Sequence, residues 1–117
     1  MNSIIPLAPA ARPTAAARFF RVLGDPTRLR ILELLQERKE MAVGDLVAEL
    51  SQPQPRISTH LACLRHCGFV IGERRGKEVI YSLAVDGLES VLESAAAAMT
   101  PIGERLATCT RIGPDWV

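Results

Sequence analysis

Three cysteines are the residues of this sequence best suited to do chemistry. Cys63 and Cys67 lie four positions apart in HLACLRHCGFV, near the end of a predicted helix, and Cys109 lies close to the carboxyl terminus. Thiols in this pattern could bind a soft metal ion, take part in redox exchange, or fill a core as small hydrophobic side chains. An odd number of cysteines in so short a chain argues against a disulfide framework.

The spacing of Cys63 and Cys67 favours a shared metal ion over a bond between the two sulfurs. β-Carbons four residues apart on a helix lie about 5 to 6 Å apart, whereas a disulfide needs about 3.5 to 4.5 Å. Two thiolates bound to one metal at about 2.3 Å have sulfurs about 4 Å apart, which ordinary rotamers supply. His60 and His66 flank Cys63 at three residues on either side and are candidates for a fourth ligand, with packing or a phosphate contact as the alternative role.

Capping signals and apolar periodicity predict the elements that must position these thiols. Asp25 followed by Pro26 is a strong helix start, two prolines are tolerated in the first turn of the helix that begins near Pro53, and Gly68 suits the position after its end. The predicted helices are 14–23 (capped by Thr14), 26–38, 43–50, 53–67, and a last one capped by Asp86 and ended by Pro101. The predicted strands form a hairpin, 69–73 and 78–83, around a basic turn.

The chain is expected to form one domain. With 117 residues, 48% hydrophobic and 4% aromatic, it is typical of a helical protein packed by aliphatic side chains. We expect a disordered extension at 1–13, the folded domain at 14–100, and a carboxyl-terminal tail at 101–117 that carries Cys109. The opening residues lack the pattern of a secretory signal, and no stretch approaches the about 20 apolar residues of a membrane span. The expected location is therefore the cytoplasm, where thiols stay reduced.

The order of the predicted elements, with two helices around a short turn and then a hairpin, is that of a winged helix-turn-helix. The fold class is therefore mainly α with a small β-hairpin, and the helix at 53–67 is the one expected to enter the major groove of DNA. The charge agrees, since residues 52–82 hold five basic and two acidic residues. The side chains at the helix start and flanks that could read bases or phosphates are Gln54, Arg56, Ser58 and Thr59. Arg74, Arg75 and Lys77 at the hairpin turn would meet phosphates or the minor groove.

Three segments, DPTRLRILELL, PRISTHLACLRHCGFV and ERRGKEVIYSL, together resemble the ArsR/SmtB family of metal-responsive bacterial repressors over residues 15–100. The resemblance implies a homodimer that binds a pseudo-palindromic operator without its effector and releases it when the effector binds. It also implies that His60 lies with Gln54, Arg56, Ser58 and Thr59 on or beside the DNA-reading end of the helix. We expect dimer contacts through the first and last helices, with an apolar seam formed by Leu88, Val91, Leu92, Ala95 and Met99.

Branches of this family place their metal sites differently, and this chain departs from two of them. The arsenic- and cadmium-sensing branch has Cys-Val-Cys-Asp-Leu where this chain reads AVGDL, with Ala42 and Gly44. The zinc- and nickel-sensing branch uses Asp and His ligands on a last helix that here contains no histidine. The cadmium- and lead-sensing CmtR-type branch has Cys-Leu-Arg-x-Cys and one later cysteine, which Cys63, Cys67 and Cys109 match.

A site of three thiolates selects soft metal ions. Cd(II) and Pb(II) come first, Hg(II) and As(III) are further candidates, and Zn(II) would want a fourth ligand, whereas Mg(II) and Ca(II) are excluded. The rival input signal is redox, through a disulfide between Cys109 and either Cys63 or Cys67. A cysteine enzyme is not expected, because the sequence offers no orienting third group and no oxyanion-forming turn near the thiols.

Overall fold

Six α-helices and a small antiparallel sheet make up the fold in the computed structural model, which describes residues 12–112. The helices are α1 (Arg12–Leu23), α2 (Pro26–Arg38), α3 (Val43–Leu50), α4 (Gln54–His66), α5 (Leu88–Met99) and α6 (Gly103–Thr108). The strands are β1 (Met41–Ala42), β2 (Val70–Arg75) and β3 (Glu78–Leu83), in the spatial order β1-β3-β2. The winged helix-turn-helix architecture predicted from the sequence is confirmed. Among the described residues, no helix is both long and apolar enough to span a membrane.

Aliphatic side chains from α2, α3 and α4 form the centre of the core, and the sheet and α5 close it. The predicted stripe of α4, Ile57, Leu61 and Leu64, is 0 to 1% exposed. Phe19 of α1 lies against Phe69 at the entrance of β2, with ring centroids 5.2 Å apart. The buried cluster consists of Leu23, Ile31, Leu32, Leu34, Leu35, Met41, Leu46, Ile57, Leu61, Leu64, Phe69, Val70 and Leu88. Because α4 contributes three of these side chains, one face of that helix is fixed in the core while the other stays at the surface.

Local signals set the ends of the two central helices. Asp25 caps α2, since its Oδ1 accepts hydrogen bonds from the backbone N–H groups of Thr27 (2.8 Å) and Arg28 (3.1 Å). At the end of α4, Gly68 has a φ of +83°. The N–H of Gly68 donates to the carbonyl of Arg65, and the N–H of Phe69 donates to that of Leu64, which is the Schellman arrangement. The predicted cap at Asp25 and the predicted glycine end of α4 are both confirmed.

Several predicted boundaries differ from the structure. Helix α1 begins at Arg12 and not at Thr14, so residues 12 and 13 belong to a helix; the rest of the predicted disordered extension, 1–11, lies outside the described residues. Strand β1 was not predicted. The cap of α5 is Gly87, with a φ of +80°, and Asp86 makes no capping hydrogen bond, so the prediction of Asp86 as cap was wrong.

The region after α5 also differs from the sequence-based expectation. Pro101 lies in a short 3-10 turn, Thr100–Ile102, and the chain then continues into α6. Leu88 is 1% exposed in the core, and it was therefore wrong to place it in an external dimer seam.

Candidate nucleic-acid interface and metal site

Helices α3 and α4, with the turn between them, form the helix-turn-helix unit. The turn is made by Ser51, whose φ is 53° and whose N–H donates to the carbonyl of Val47 at 2.9 Å. Gln52 then fastens the turn to α2, since its Nε2 donates to Oγ1 of the buried Thr27 at 3.0 Å. This hydrogen bond fixes the position of the start of α4 relative to α2.

Four of the predicted DNA-reading side chains lie at the surface of α4. Gln54, Arg56, Ser58 and Thr59 are all exposed, in the first half of the helix. The hydroxyl of Thr59 donates to the carbonyl of Pro55 at 2.9 Å, so its oxygen remains free to accept. The arrangement is that of a recognition helix whose amino-terminal half is presented to a ligand.

His60 occupies a different environment from its neighbours. Its side chain is 14% exposed, and its Nε2 lies 3.9 Å from Oδ1 of Asp25. Burial lowers the pKa of His60, the carboxylate of Asp25 raises it, and the cations Arg28 and Arg56 lower it. The structure thus places His60 against the cap of α2, and a DNA contact from His60 stays a prediction.

The three basic residues predicted to contact DNA from the hairpin fall into two groups. Arg74 and Lys77 are exposed, and Lys77 follows Gly76, whose φ of 63° allows the tight turn between β2 and β3. Arg75 is held by two carboxylates, with Nη1 and Nη2 on the oxygens of Glu40 and with Nε and Nη2 on Oε1 of Glu73. Hydrogen bonds from Arg75 lower the pKa of Glu40. This pairing was not predicted, because Glu40 and Arg75 are 35 positions apart.

Cys63 lies on the last turn of α4, and Cys67 is the residue that directly follows this helix. Both are free thiols; Cys67 is exposed and Cys63 is partly covered. Burial raises the pKa of Cys63, and the neighbouring Cys67 thiol raises it further, whereas the charge of Arg28 lowers it. Two free thiols at this spacing could supply two ligands to a soft metal ion, and their role as ligands stays a prediction.

Arg28 lies near the thiol pair and could not be predicted from the sequence pattern. Its Nε donates to the carbonyl of Val22 at 2.7 Å and its Nη2 to that of Arg21 at 3.3 Å, so the guanidinium closes the end of α1. The same charge lowers the pKa of Cys63, against the larger effect of burial, which raises it. No local sequence signal predicts this electrostatic effect, because it depends on how α2 packs beside α4.

Cys109 does not join the other two thiols within one protomer. It follows the last residue of α6 and is exposed. Among residues 12–112, no group of three His, Cys, Asp or Glu side chains is placed to hold one metal ion. A single chain therefore brings together two of the three predicted ligands.

Large apolar side chains remain exposed at the two ends of the chain. Phe20 on α1 is 59% exposed, and Met99, Ile102 and Leu106, around α5 and α6, are 43 to 47% exposed. Helices α1 and α5 are the ones expected to contact a second copy, and no side chain among residues 12–112 covers this apolar surface.

Comparison with known proteins places the chain in one family. Residues 25–71 match the model of the bacterial regulatory proteins of the arsR family. The chain is 38% identical to the probable mercury resistance operon repressor of Streptomyces lividans over 104 residues, which cover 89% of this chain and 82% of the relative. It is 42% identical to the transcriptional regulator CmtR of Mycobacterium bovis over 81 residues, 69% of this chain and 68% of the relative.

A solved structure supports the same assignment. The homodimeric winged helix-turn-helix DNA-binding domain of a possible ArsR-family regulator from Mycobacterium bovis superposes with a TM-score of 0.66 at 25% identity, covering 83% of this chain and 93% of that one. That domain is described as a winged helix-turn-helix, which is the architecture that α3, α4 and the β2-β3 hairpin form here. The chain therefore belongs to the arsR family of bacterial regulatory proteins, which are DNA-binding transcriptional repressors and not enzymes.

Proposed function

We propose that this protein is a cytoplasmic, homodimeric repressor that binds a pseudo-palindromic operator and releases it when a soft metal ion binds Cys63, Cys67 and Cys109. One observation carries the proposal: the thiol pair lies at the carboxyl end of the same helix, α4, that presents Gln54, Arg56, Ser58 and Thr59. Because α4 is a single helix, a metal ion that restrains its carboxyl end also restrains its DNA-reading end. The name of one relative, a probable mercury resistance operon repressor, is consistent with a metal effector.

We propose that the third ligand is Cys109 of the partner subunit. Within one protomer Cys109 lies apart from the pair, whereas the exposed apolar surface around Met99, Ile102 and Leu106 precedes it directly. A second copy packed on that surface would bring its own chain end towards α4. The first and last helices would then form the dimer frame, as the resemblance implies.

The effector best suited to this donor set is Cd(II) or Pb(II). Three thiolates favour large soft ions, and Hg(II) and As(III) share that preference. Zn(II) would need a fourth ligand, and His60 is directed to Asp25 at 3.9 Å, which leaves it poorly placed to serve.

The proposed release mechanism follows from tying α4 to the dimer frame. Operator half-sites lie about 34 to 36 Å apart, one DNA turn. A metal that links Cys63 and Cys67 to Cys109 would hold the two α4 helices away from that spacing. By linkage, DNA must weaken metal binding by the same factor by which metal weakens DNA binding. The corresponding coupling free energy is commonly about 1 to 3 kcal/mol.

The test is operator binding measured with and without Cd(II), Pb(II), Hg(II) and Zn(II), on the native protein and on the three single Cys→Ser variants. We expect the soft ions to release DNA from the native protein and to fail on each variant. Mild oxidation followed by intact-mass measurement distinguishes metal sensing from redox sensing. The redox alternative requires that a disulfide forms and that operator DNA is released without metal. Release by oxidation alone, with no response to any of the four ions, would contradict the proposal.

A further inference from the structure

The two neighbouring arginines of the wing, Arg74 and Arg75, point to opposite faces of the sheet. Successive side chains of a strand alternate between faces, so Arg74 shares its face with Val70 and Gly72. That face packs on the protein body, since Val70 is 1% exposed. Arg75 shares the other face with Glu73 and with Ile71, which is 56% exposed. The two adjacent cations are therefore presented to different surroundings.

Arg75 connects the two outer strands of the sheet across the middle one. Strand β2 is an edge strand that pairs with β3, and β1 pairs with the opposite side of β3. Glu40 directly precedes β1, and its carboxylate accepts from Nη1 of Arg75 at 2.9 Å and from Nη2 at 2.6 Å. Because β1 leads straight into α3, this fork ties the wing to the helix-turn-helix unit.

The hydrogen bonds of Arg75 leave it little capacity for DNA. A guanidinium has five N–H donors. Glu40 takes one from Nη1 and one from Nη2, and Oε1 of Glu73 takes Nε at 2.9 Å and the second donor of Nη2 at 2.6 Å. Two carboxylates around one cation also leave a net negative charge, which repels phosphate. Arg75 would have to give up a carboxylate in order to bind DNA directly.

We propose that Arg75 is a positioning residue, which together with Glu40 and Glu73 forms a wing clamp that holds the hairpin at a fixed angle to α3 and α4. Arg74 and Lys77 then make the phosphate contacts of the wing. The proposal rests on the proposed DNA-binding role of this region. According to this proposal Glu40 strengthens DNA binding, whereas an ordinary acidic residue near DNA weakens it by repelling phosphate.

The test is the operator affinity of Glu40→Gln over a range of salt concentrations. If the clamp positions the wing, Glu40→Gln weakens binding by about two- to fivefold, the range expected for one exposed ion pair, with an unchanged salt slope. If Glu40 only repels phosphate or sequesters a DNA-contacting Arg75, the same change tightens binding. Tighter binding by Glu40→Gln would overturn the proposal.

Matched variants separate positioning from contact. Arg74→Gln should lower the salt slope by about 1, as loss of a phosphate contact does, whereas Arg75→Gln should weaken binding without that change. The exchanged pair Glu40→Arg with Arg75→Glu should recover part of the affinity that either single change loses. A slope lowered by Arg75→Gln as much as by Arg74→Gln, or an exchanged pair no better than its single changes, would contradict the clamp.

A measurement without DNA keeps the clamp and the proposed function apart. In the free protein, hydrogen exchange of the β2 amides should be about two- to fivefold faster in Glu40→Gln than in the native chain, because the edge strand loses its second attachment. Unchanged exchange would contradict the clamp. Failure of the native protein to bind operator would instead contradict the proposed function, and the exchange result would still decide the clamp.

Discussion

The two regions that carry the thiols differ in how firmly one protomer holds them. Cys63 lies on α4 and Cys67 directly follows it. The inner face of this helix contributes Ile57, Leu61 and Leu64 to the core at 0 to 1% exposure. Cys109 follows α6, a helix of six residues with no buried side chain, whose Leu106 is 43% exposed. The first region is fixed by the core of its own chain, whereas the second has apolar surface that no other part of residues 12–112 covers.

This difference indicates what the proposed sensor responds to. The thiol pair is ready in each protomer, and the third ligand would arrive only with a correctly assembled dimer. A metal ion that joins the two regions would then change the arrangement of the two subunits. It would not act by changing the stability of a single chain. The predictions below separate the two regions, beginning with the largest expected effect.

The core support of α4 is the strongest difference between the regions. Leu64 lies beside Cys63 and is 0% exposed, and Leu64→Ala should lower the free energy of unfolding by about 2 to 5 kcal/mol, since it leaves a cavity. The matched control is Leu106→Ala, whose effect should depend on protein concentration because the exposed side chain acts through a second copy. Chemical denaturation at several protein concentrations measures both. Equal losses that do not vary with concentration would contradict the comparison.

Removing single thiols should separate metal binding from DNA release. Cys63→Ser or Cys67→Ser should lower Cd(II) affinity by about 100-fold or more. Loss of a residue that only hydrogen-bonds to a metal ligand already lowers metal affinity by about 10- to 100-fold, and loss of a ligand itself should cost more. Cys109→Ser should leave the pair able to bind Cd(II) more weakly but unable to release operator. Thiolate-to-metal absorption and operator anisotropy measure the two effects. Full metal-induced release by Cys109→Ser would refute the role given to that residue.

The cap beneath α4 should contribute a smaller amount to stability. Asp25 caps α2 and lies beside His60, one turn before Cys63, and Asp25→Ala should lower the free energy of unfolding by about 1 kcal/mol. Asp86→Ala is the control, because Asp86 makes no capping hydrogen bond and its loss should change stability by less than about 0.5 kcal/mol. Thermal or urea unfolding distinguishes the two. Similar losses in both variants would contradict the assignment of the caps.

The smallest expected effect is a pH dependence from His60. Burial lowers its pKa in the folded protein below the value of 6.5 for an ordinary histidine. The unfolded chain therefore binds the proton more readily, so stability is lost as the pH falls below about 6.5. His60→Asn should make the decline in stability between pH 7 and pH 5 shallower, while the exposed His66→Asn serves as control. A steeper decline in His60→Asn would show that the sign is wrong.

The sequence predicted those parts of the molecule that local signals determine. The bounds of α2 and α3 and the glycine end of α4 follow from caps, prolines and apolar periodicity within a few residues. Strand β1 was missed because two residues, Met41 and Ala42, become a strand only by pairing with Tyr81 and Ile80. Asp86 was wrongly chosen as a cap because a glycine with positive φ follows it and starts the helix itself.

The candidate site shows the same division between local and distant contacts. The pairing of Cys63 with Cys67 is a property of one helix, and it could be derived from four-residue spacing. The attachment of Arg75 to Glu40 and the approach of Arg28 to Cys63 depend on how separate elements pack, so neither could be derived from spacing. Cys109 belongs to this second class, since its proposed partners lie on another chain.

Cd(II) binding by a mixed dimer tests most directly the claim that the metal site is completed by the second subunit. One subunit would carry Cys63→Ser with Cys67→Ser, and the other Cys109→Ser, so that neither chain holds a complete set of thiols. We predict one tightly bound Cd(II) per mixed dimer, detected by thiolate-to-metal absorption, and weak binding by either parent homodimer. A mixed dimer that binds Cd(II) no more tightly than its parents would contradict the account.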